Sequence, residues 1–123
     1  MKQYLALAAI VGVMTTDAVV ARTAEQTWTG KISDSLCGMS HDAMRKKGDN
    51  VTDRECTVAC VNYQTPGAPK FVFVTGGKVY PIKNQAFGGL GRRSGATIVL
   101  TGELGSDGEI TIVKIEDAKG PQK

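Results

Sequence analysis

The sequence lacks most of the features that quickly betray a function. It has no dense run of like charge: fifteen basic and twelve acidic residues are interspersed, for a net charge of +3. The nearest basic clusters, Arg45-Lys46-Lys47 and Arg92-Arg93, are short and sit beside glycine, which is the pattern of solvated loops. A nucleic-acid partner is therefore not expected. There is no Cys-x2-Cys, so the common thiol redox motif is missing. Glycines 88, 89 and 91 lack the Gly-Lys-Ser/Thr ending of a phosphate-binding loop. No internal repeat and no low-complexity tract is present, and 123 residues suit one domain. Cysteine is scarce and odd in number. Three thiols cannot all pair within one chain.

One long apolar run exists, at the N-terminus. MKQYLALAAIVGVMTTDAVVA combines a short positive start, an apolar stretch over 4–14 and small residues before a cut after Ala21. That pattern reads as a secretory signal peptide over 1–21, leaving 22–123 as one domain with frayed ends. The run is short for a membrane span, and no other stretch approaches that length. No cysteine follows it, which argues against a lipid anchor. The expected address is periplasmic or secreted, an oxidising setting in which cysteines pair or hold metals.

The rest reads as strands with one helical excursion. TWTGKISDS (27–35) alternates, with Trp28, Gly30 and Ile32 on one side, and Gly30 marks a bend or a close backbone approach. SHDAMRKKG (40–48) predicts a short helix, capped by Ser40 and stopped by Gly48. TDRECTVACVNY (52–63) predicts a second, opened by a capping box of Thr52 and Glu55. Its spacing places Cys56, Ala59, Cys60 and Tyr63 on one face, expected to be buried. KFVFVTGGKVYPI (70–82) predicts a hairpin about Gly76-Gly77, and TIVLTGELGSDGEITIVKIE (97–116) another about Ser106-Asp107-Gly108. In the last strand Ile110 and Ile112 disagree in phase with Val113 and Ile115, and a bulge near Ile112 reconciles them. Between the hairpins, the glycine-rich 84–95 offers at most a turn of helix around 85–90. Five strands predict a mainly β fold, an OB-like five-stranded small barrel with a short helical insertion between strands one and two.

WTGKISDSLCG, ECTVACV, KFVFVTGGKVYPI and TIVLTGELGSDGEITIVKIE together resemble a group of small exported bacterial proteins of unknown function. These look like relatives of the periplasmic bacterial OB-fold family associated with stress responses. The resemblance covers roughly residues 27–117. It implies an OB-like barrel and lends no catalytic residues. A helical segment between the first two strands departs from an ordinary OB-fold.

The chemistry sits in SLCGMSH (35–41) and ECTVAC (55–60). Three readings stand side by side. Cys37 pairing with Cys56 or Cys60 closes a loop of about twenty residues, worth roughly 3 kcal/mol to a small domain. A leftover thiol then stays buried or links two copies into a disulfide-bonded homodimer. Alternatively, Cys37, His41, Cys56 and Cys60 surround zinc or copper, because donors four apart on a helix share a face. Met39 and Met44 add soft sulfur nearby. Thirdly, a thiol activated by His41, or Cys56 by its helix dipole, serves as a nucleophile, although no partner orients His41. Asp34, Asp42, Asp49, Asp53 and Glu55 read as capping and solvation. Phe71, Phe73 and Tyr80 are a candidate binding face on the first hairpin, the two phenylalanines competing with a core role. The sequence favours an exported, non-enzymatic binding module with an envelope or extracellular partner. The alternative is a cell-envelope metal-binding protein with a Cys3His site.

Overall fold

A computed structural model describes residues 23–45, 50–63 and 65–119, without the side chains of 44 and 45. The expected signal peptide, the Gly48 stop and the Met44 side chain lie outside the described residues. The element order is β1 (Gln26–Asp34), α1 (Asp42–Arg45), α2 (Asp53–Val61), β2 (Phe71–Thr75), β3 (Lys78–Pro81), α3 (Leu90–Arg93), β4 (Thr97–Leu104) and β5 (Ile110–Asp117). No helix among the described residues is long and apolar enough to cross a membrane.

The five strands form one antiparallel sheet in the order β3-β2-β1-β4-β5. Two hairpins flank the central β1. Gly76 and Gly77 both take positive φ, 56° and 73°, as a two-residue turn matched to strand twist requires. The second hairpin turns over 105–109, and its register slips between Thr101 and Gly102: Thr101 pairs with Lys114, Gly102 with Ile112. Val113 is the extra residue. It bulges outward, half exposed, and Ile110, Ile112 and Ile115 are thereby all buried on the same face.

The barrel expectation is met only in part. Ile82 meets Ile110 in a single parallel bridge. Next to it the Lys83 amide donates to Ile110 O at 2.8 Å, and the Asn84 side chain bonds both the amide and the carbonyl of Ile112 at 2.9 Å. The two edges of the sheet thus touch at one end, but no ladder closes them along their length. The sheet is curled, not shut.

Its concave side holds the core: Ile32, Phe73, Ile82, Leu90, Ile98, Leu100, Ile110, Ile112 and Ile115. Gly30 lets β1 and β2 meet there. A Cβ at Gly30 would collide with Val74 O and would sit 2.8 Å from the Phe73 ring, so only glycine fits. Trp28 packs tilted on that ring, with centroids 6.5 Å apart. The turn of helix expected around 85–90 lies later, at α3. Gln85 is engaged elsewhere: its amide nitrogen donates to the carbonyls of Phe71 and Ile82, and its oxygen accepts from the Phe71 amide.

The last three residues of β1 break the strand alternation. Ile32, Ser33 and Asp34 are all buried, because the excursion between β1 and β2 lies against the strand end. This is where the chemistry collects.

Candidate functional site

Asp34 ends β1 and organises the turn that follows. Its Oδ1 accepts from the amides of Leu36 at 3.0 Å and Cys37 at 2.9 Å, an Asx-type turn that local spacing encodes. The Gly38 amide bonds back to Asp34 O at 2.8 Å, and Gly38 takes φ 58°. Ser33 Oγ fixes the same turn by donating to Gly38 O at 2.7 Å. The outcome is that Cys37 is folded back over the strand end while Leu36 and Met39 point outward, 72% and 61% exposed.

The second wall is α2. The capping box forms as expected: Glu55 N donates to Thr52 Oγ1, and Thr52 N to Glu55 Oε2 at 2.8 Å. These bonds hold the Glu55 carboxyl below its ordinary pKa. The buried side of the helix, however, is not the expected one. Cys56 and Thr57 are buried and Cys60 is half-buried, whereas Ala59 and Tyr63 are exposed. The inward stripe runs through Asp53, Cys56, Thr57 and Cys60, keeping Cys56 and Cys60 of the predicted stripe and exchanging Ala59 and Tyr63 for Asp53 and Thr57. The reason is chemical. That side meets the polar end of β1, and its thiols and hydroxyl fit there better than Tyr63.

His41 joins the two walls. It is 6% exposed, with Nε2 3.1 Å from Asp34 Oδ2 and 3.2 Å from Thr57 Oγ1. On the opposite side of the ring Nδ1 stands 3.6 Å from Asp53 Oδ1. Ser40 Oγ accepts from Asp42 N, starting α1 just beyond. His41 and Asp53 also line an open cleft of about 360 Å³ bounded by β1 and the Gly76-Gly77 turn, which gives solvent a route to this side of the site.

The donor atoms of Asp34, Cys37, His41 and Cys56 all lie within 4.8 Å of one another. Cys60, one helical turn beyond Cys56, has its thiol close enough to interact with those of both Cys37 and Cys56. All three cysteines are free thiols in this arrangement. Burial raises the pKa of each, and the charge on Asp34 pushes the same way; at Cys56 the neighbouring Cys37 adds more than Asp34 does. A nucleophilic thiol needs the opposite shift. A cation changes matters, because it offsets the Asp34 charge and binds the thiolates it helps to form.

The expected donors therefore divide. Cys37, His41 and Cys56 lie together, with Asp34 as the fourth member of the set and Cys60 outside it. Met39 instead borders the cleft, largely exposed. Phe73 is fully buried, and Phe71 and Tyr80 pack against the core beside it, so the three make no exposed aromatic platform. Sequence reasoning missed Asp34, which is 0% exposed, and Thr57. The signal for Asp34 was available: an aspartate followed two and three residues later by free amides is an Asx turn, and the turn here carries a cysteine. No buried side-chain nitrogen or oxygen among the described residues lacks a partner, so the site is held together by its own bonds. Comparison with protein-family models, with curated proteins and with solved structures returns no match to this chain.

Proposed function

We propose that this chain is an exported, non-enzymatic binding module whose bound species is a transition-metal ion, with zinc(II) the best fit. Cys37, His41, Cys56 and Asp34 are the ligands. The observation carrying this reading is the convergence of four donors from β1, its turn and α2 within 4.8 Å. A tetrahedral zinc with bonds of 2.0–2.3 Å needs donors roughly 3.3–3.8 Å apart, so the walls close by about 1 Å on loading. One pair, Asp34 Oδ2 and His41 Nε2, is at 3.1 Å already.

Supporting contacts are of the kind metal sites use. Two backbone amides hold Asp34 Oδ1, leaving Oδ2 turned inward. Asp53 faces His41 Nδ1, where a carboxylate steadies the ring of a ligating histidine. Nitrogen, oxygen and sulfur donors in one tetrahedral set suit zinc.

A second reading has its own observation. The Cys37 and Cys56 sulfurs are unbonded but lie within 4.8 Å of each other, so an oxidant in an oxidising compartment, taking up the two thiol protons and two electrons, can join them into a cross-link that closes the excursion. One experiment separates the two. Reduced, chelator-stripped protein is titrated with cobalt(II) as a spectroscopic stand-in for zinc, and thiols are counted before and after. The metal reading expects one ion per chain, tetrahedral visible bands, sulfur-to-cobalt absorption in the near ultraviolet and a raised Tm. A folded, reduced chain that takes up no metal refutes it. A single titratable thiol in protein recovered from an exporting host favours the cross-link.

We further propose that the curled sheet is an OB-type barrel, as the sequence resemblance implies. Its strand order and the bridge between Ile82 and Ile110 support this. The site then occupies the loop between the first two strands, one of two loops through which this fold binds ligands. An experimental structure with β3 and β5 apart along their whole length would remove the proposal.

A further inference from the structure

Five donors crowd a site that one tetrahedral ion can fill with four, and they are not spread evenly. Asp34 ends β1 and His41 follows its turn, the two linked to each other at 3.1 Å. Cys60 is carried by α2, as Cys56 is. As the fourth residue after Cys56 it stands about 6 Å further along α2, over the same face. Its thiol approaches both Cys37 and Cys56, yet it stands outside the compact set of four and is only half-buried. The pair Cys37 and Cys56 is therefore common to two sets of opposite character. One adds a carboxylate oxygen and an imidazole nitrogen; the other adds a third sulfur.

We infer that the site holds two overlapping ligand sets, Asp34–Cys37–His41–Cys56 for a divalent ion of zinc type and Cys37–Cys56–Cys60 for a monovalent soft ion of copper(I) type, with Cys60 the residue that separates them. This rests on the reading of the cluster as a metal site and extends it to selectivity. The chemistry follows from donor softness. Copper(I) is satisfied by thiolates alone and gains little from a carboxylate, whereas zinc accepts mixed nitrogen, oxygen and sulfur donors. Asp34 and His41 need no metal in the copper form, because each keeps its present partners: Asp34 holds the turn amides, and His41 stays bonded to Asp34 and Thr57. Cys60 likewise is dispensable in the zinc form, since its half-exposed position lets water solvate the thiol. The two forms use the same fold and differ in which donors join the shared sulfur pair.

The test uses the full-length mature chain, reduced and oxygen-free, as wild type, Cys60→Ser and His41→Gln, each checked by circular dichroism for an intact fold. Cobalt(II) is followed by its visible and charge-transfer bands, and copper(I) by competition against a coloured copper(I) chelator. Cys60→Ser should bind cobalt within about threefold of wild type, with unchanged charge-transfer intensity, and lose copper(I) affinity by about 100-fold or more. His41→Gln should do the reverse, losing cobalt by at least about tenfold to 100-fold while keeping copper(I). If His41→Gln does not fold, the Cys60→Ser pair of measurements decides alone, since that position is half-exposed. Equal loss of both metals in Cys60→Ser overturns the inference and makes Cys60 an ordinary ligand of one set. Loss of neither overturns it as well. Wild-type protein that binds neither ion overturns the underlying metal site instead, an outcome visible before any variant is compared.

Discussion

Replacing Asp34 tests the organising role of its carboxylate without any metal. In Asp34→Ala the amides of Leu36 and Cys37 lose their acceptor, and His41 Nε2 loses the stronger of its two partners, keeping only Thr57 Oγ1. Leu36 is 72% exposed, so water takes over at its amide and the cost there is about 0.5–1 kcal/mol. Cys37 is half-buried and His41 only 6% exposed, and each lost bond there costs about 1–2 kcal/mol. Removing the charge also relieves its burial, which is unfavourable on its own, so a total of about 3 kcal/mol is expected. In Asp34→Asn the side-chain oxygen still accepts from both amides, and only the contact with His41 is exchanged, for about 1 kcal/mol. The assay is urea unfolding of reduced, chelator-treated protein at neutral pH, with equal slopes required before midpoints are compared. For a domain of this size about 3 kcal/mol is a Tm loss of about 12–24 °C. The order wild type, then Asn, then Ala is the signature. An alanine variant within about 1 kcal/mol of wild type, or an asparagine variant as damaged as alanine, would show that the carboxylate does not organise the turn.

Other consequences are quicker to check. Gly30→Ala forces a Cβ into Val74 O and the Phe73 ring, and calorimetry should show a loss of about 2–3 kcal/mol, against little change for Gly88→Ala, where nothing lies within 4 Å. Thr52→Ala removes the cap of α2 and should cost about 1 kcal/mol in denaturant unfolding, with weakened metal uptake because Cys56 and Cys60 ride on that helix. Asp107 accepts from the Glu109 amide at 3.0 Å and faces Lys83 at 3.5 Å, and these hold its carboxyl below the ordinary range. A depressed native pKa means the stabilisation is present above about pH 4 and disappears as pH falls through the lower native value. The Tm gap between wild type and Asp107→Asn should therefore narrow on acidification from pH 7 to pH 3; a gap that stays constant or widens contradicts the assignment.

The sequence by itself determined the elements whose causes are local. Gly76-Gly77 made its hairpin because two consecutive positive φ values are cheap only for glycine. Thr52 and Glu55 closed their capping box within one turn, and the phase conflict along 110–115 announced the bulge that Val113 makes. The proximity of Cys37, His41 and Cys56 was also legible in part, because the two segments rich in donors flank one excursion, but the fourth member of the set is Asp34 and not Cys60. What tertiary structure alone decided was direction and depth. The inward stripe of α2 turned to take in Asp53 and Thr57 in place of Ala59 and Tyr63 because its neighbour is the polar end of β1, a fact no helical period contains. Asp34 looked like one more solvated acid until the excursion folded over it and left it without water. Burial of that carboxylate among two amides and an imidazole needs β1, the turn and α2 together, and no local spacing contains that.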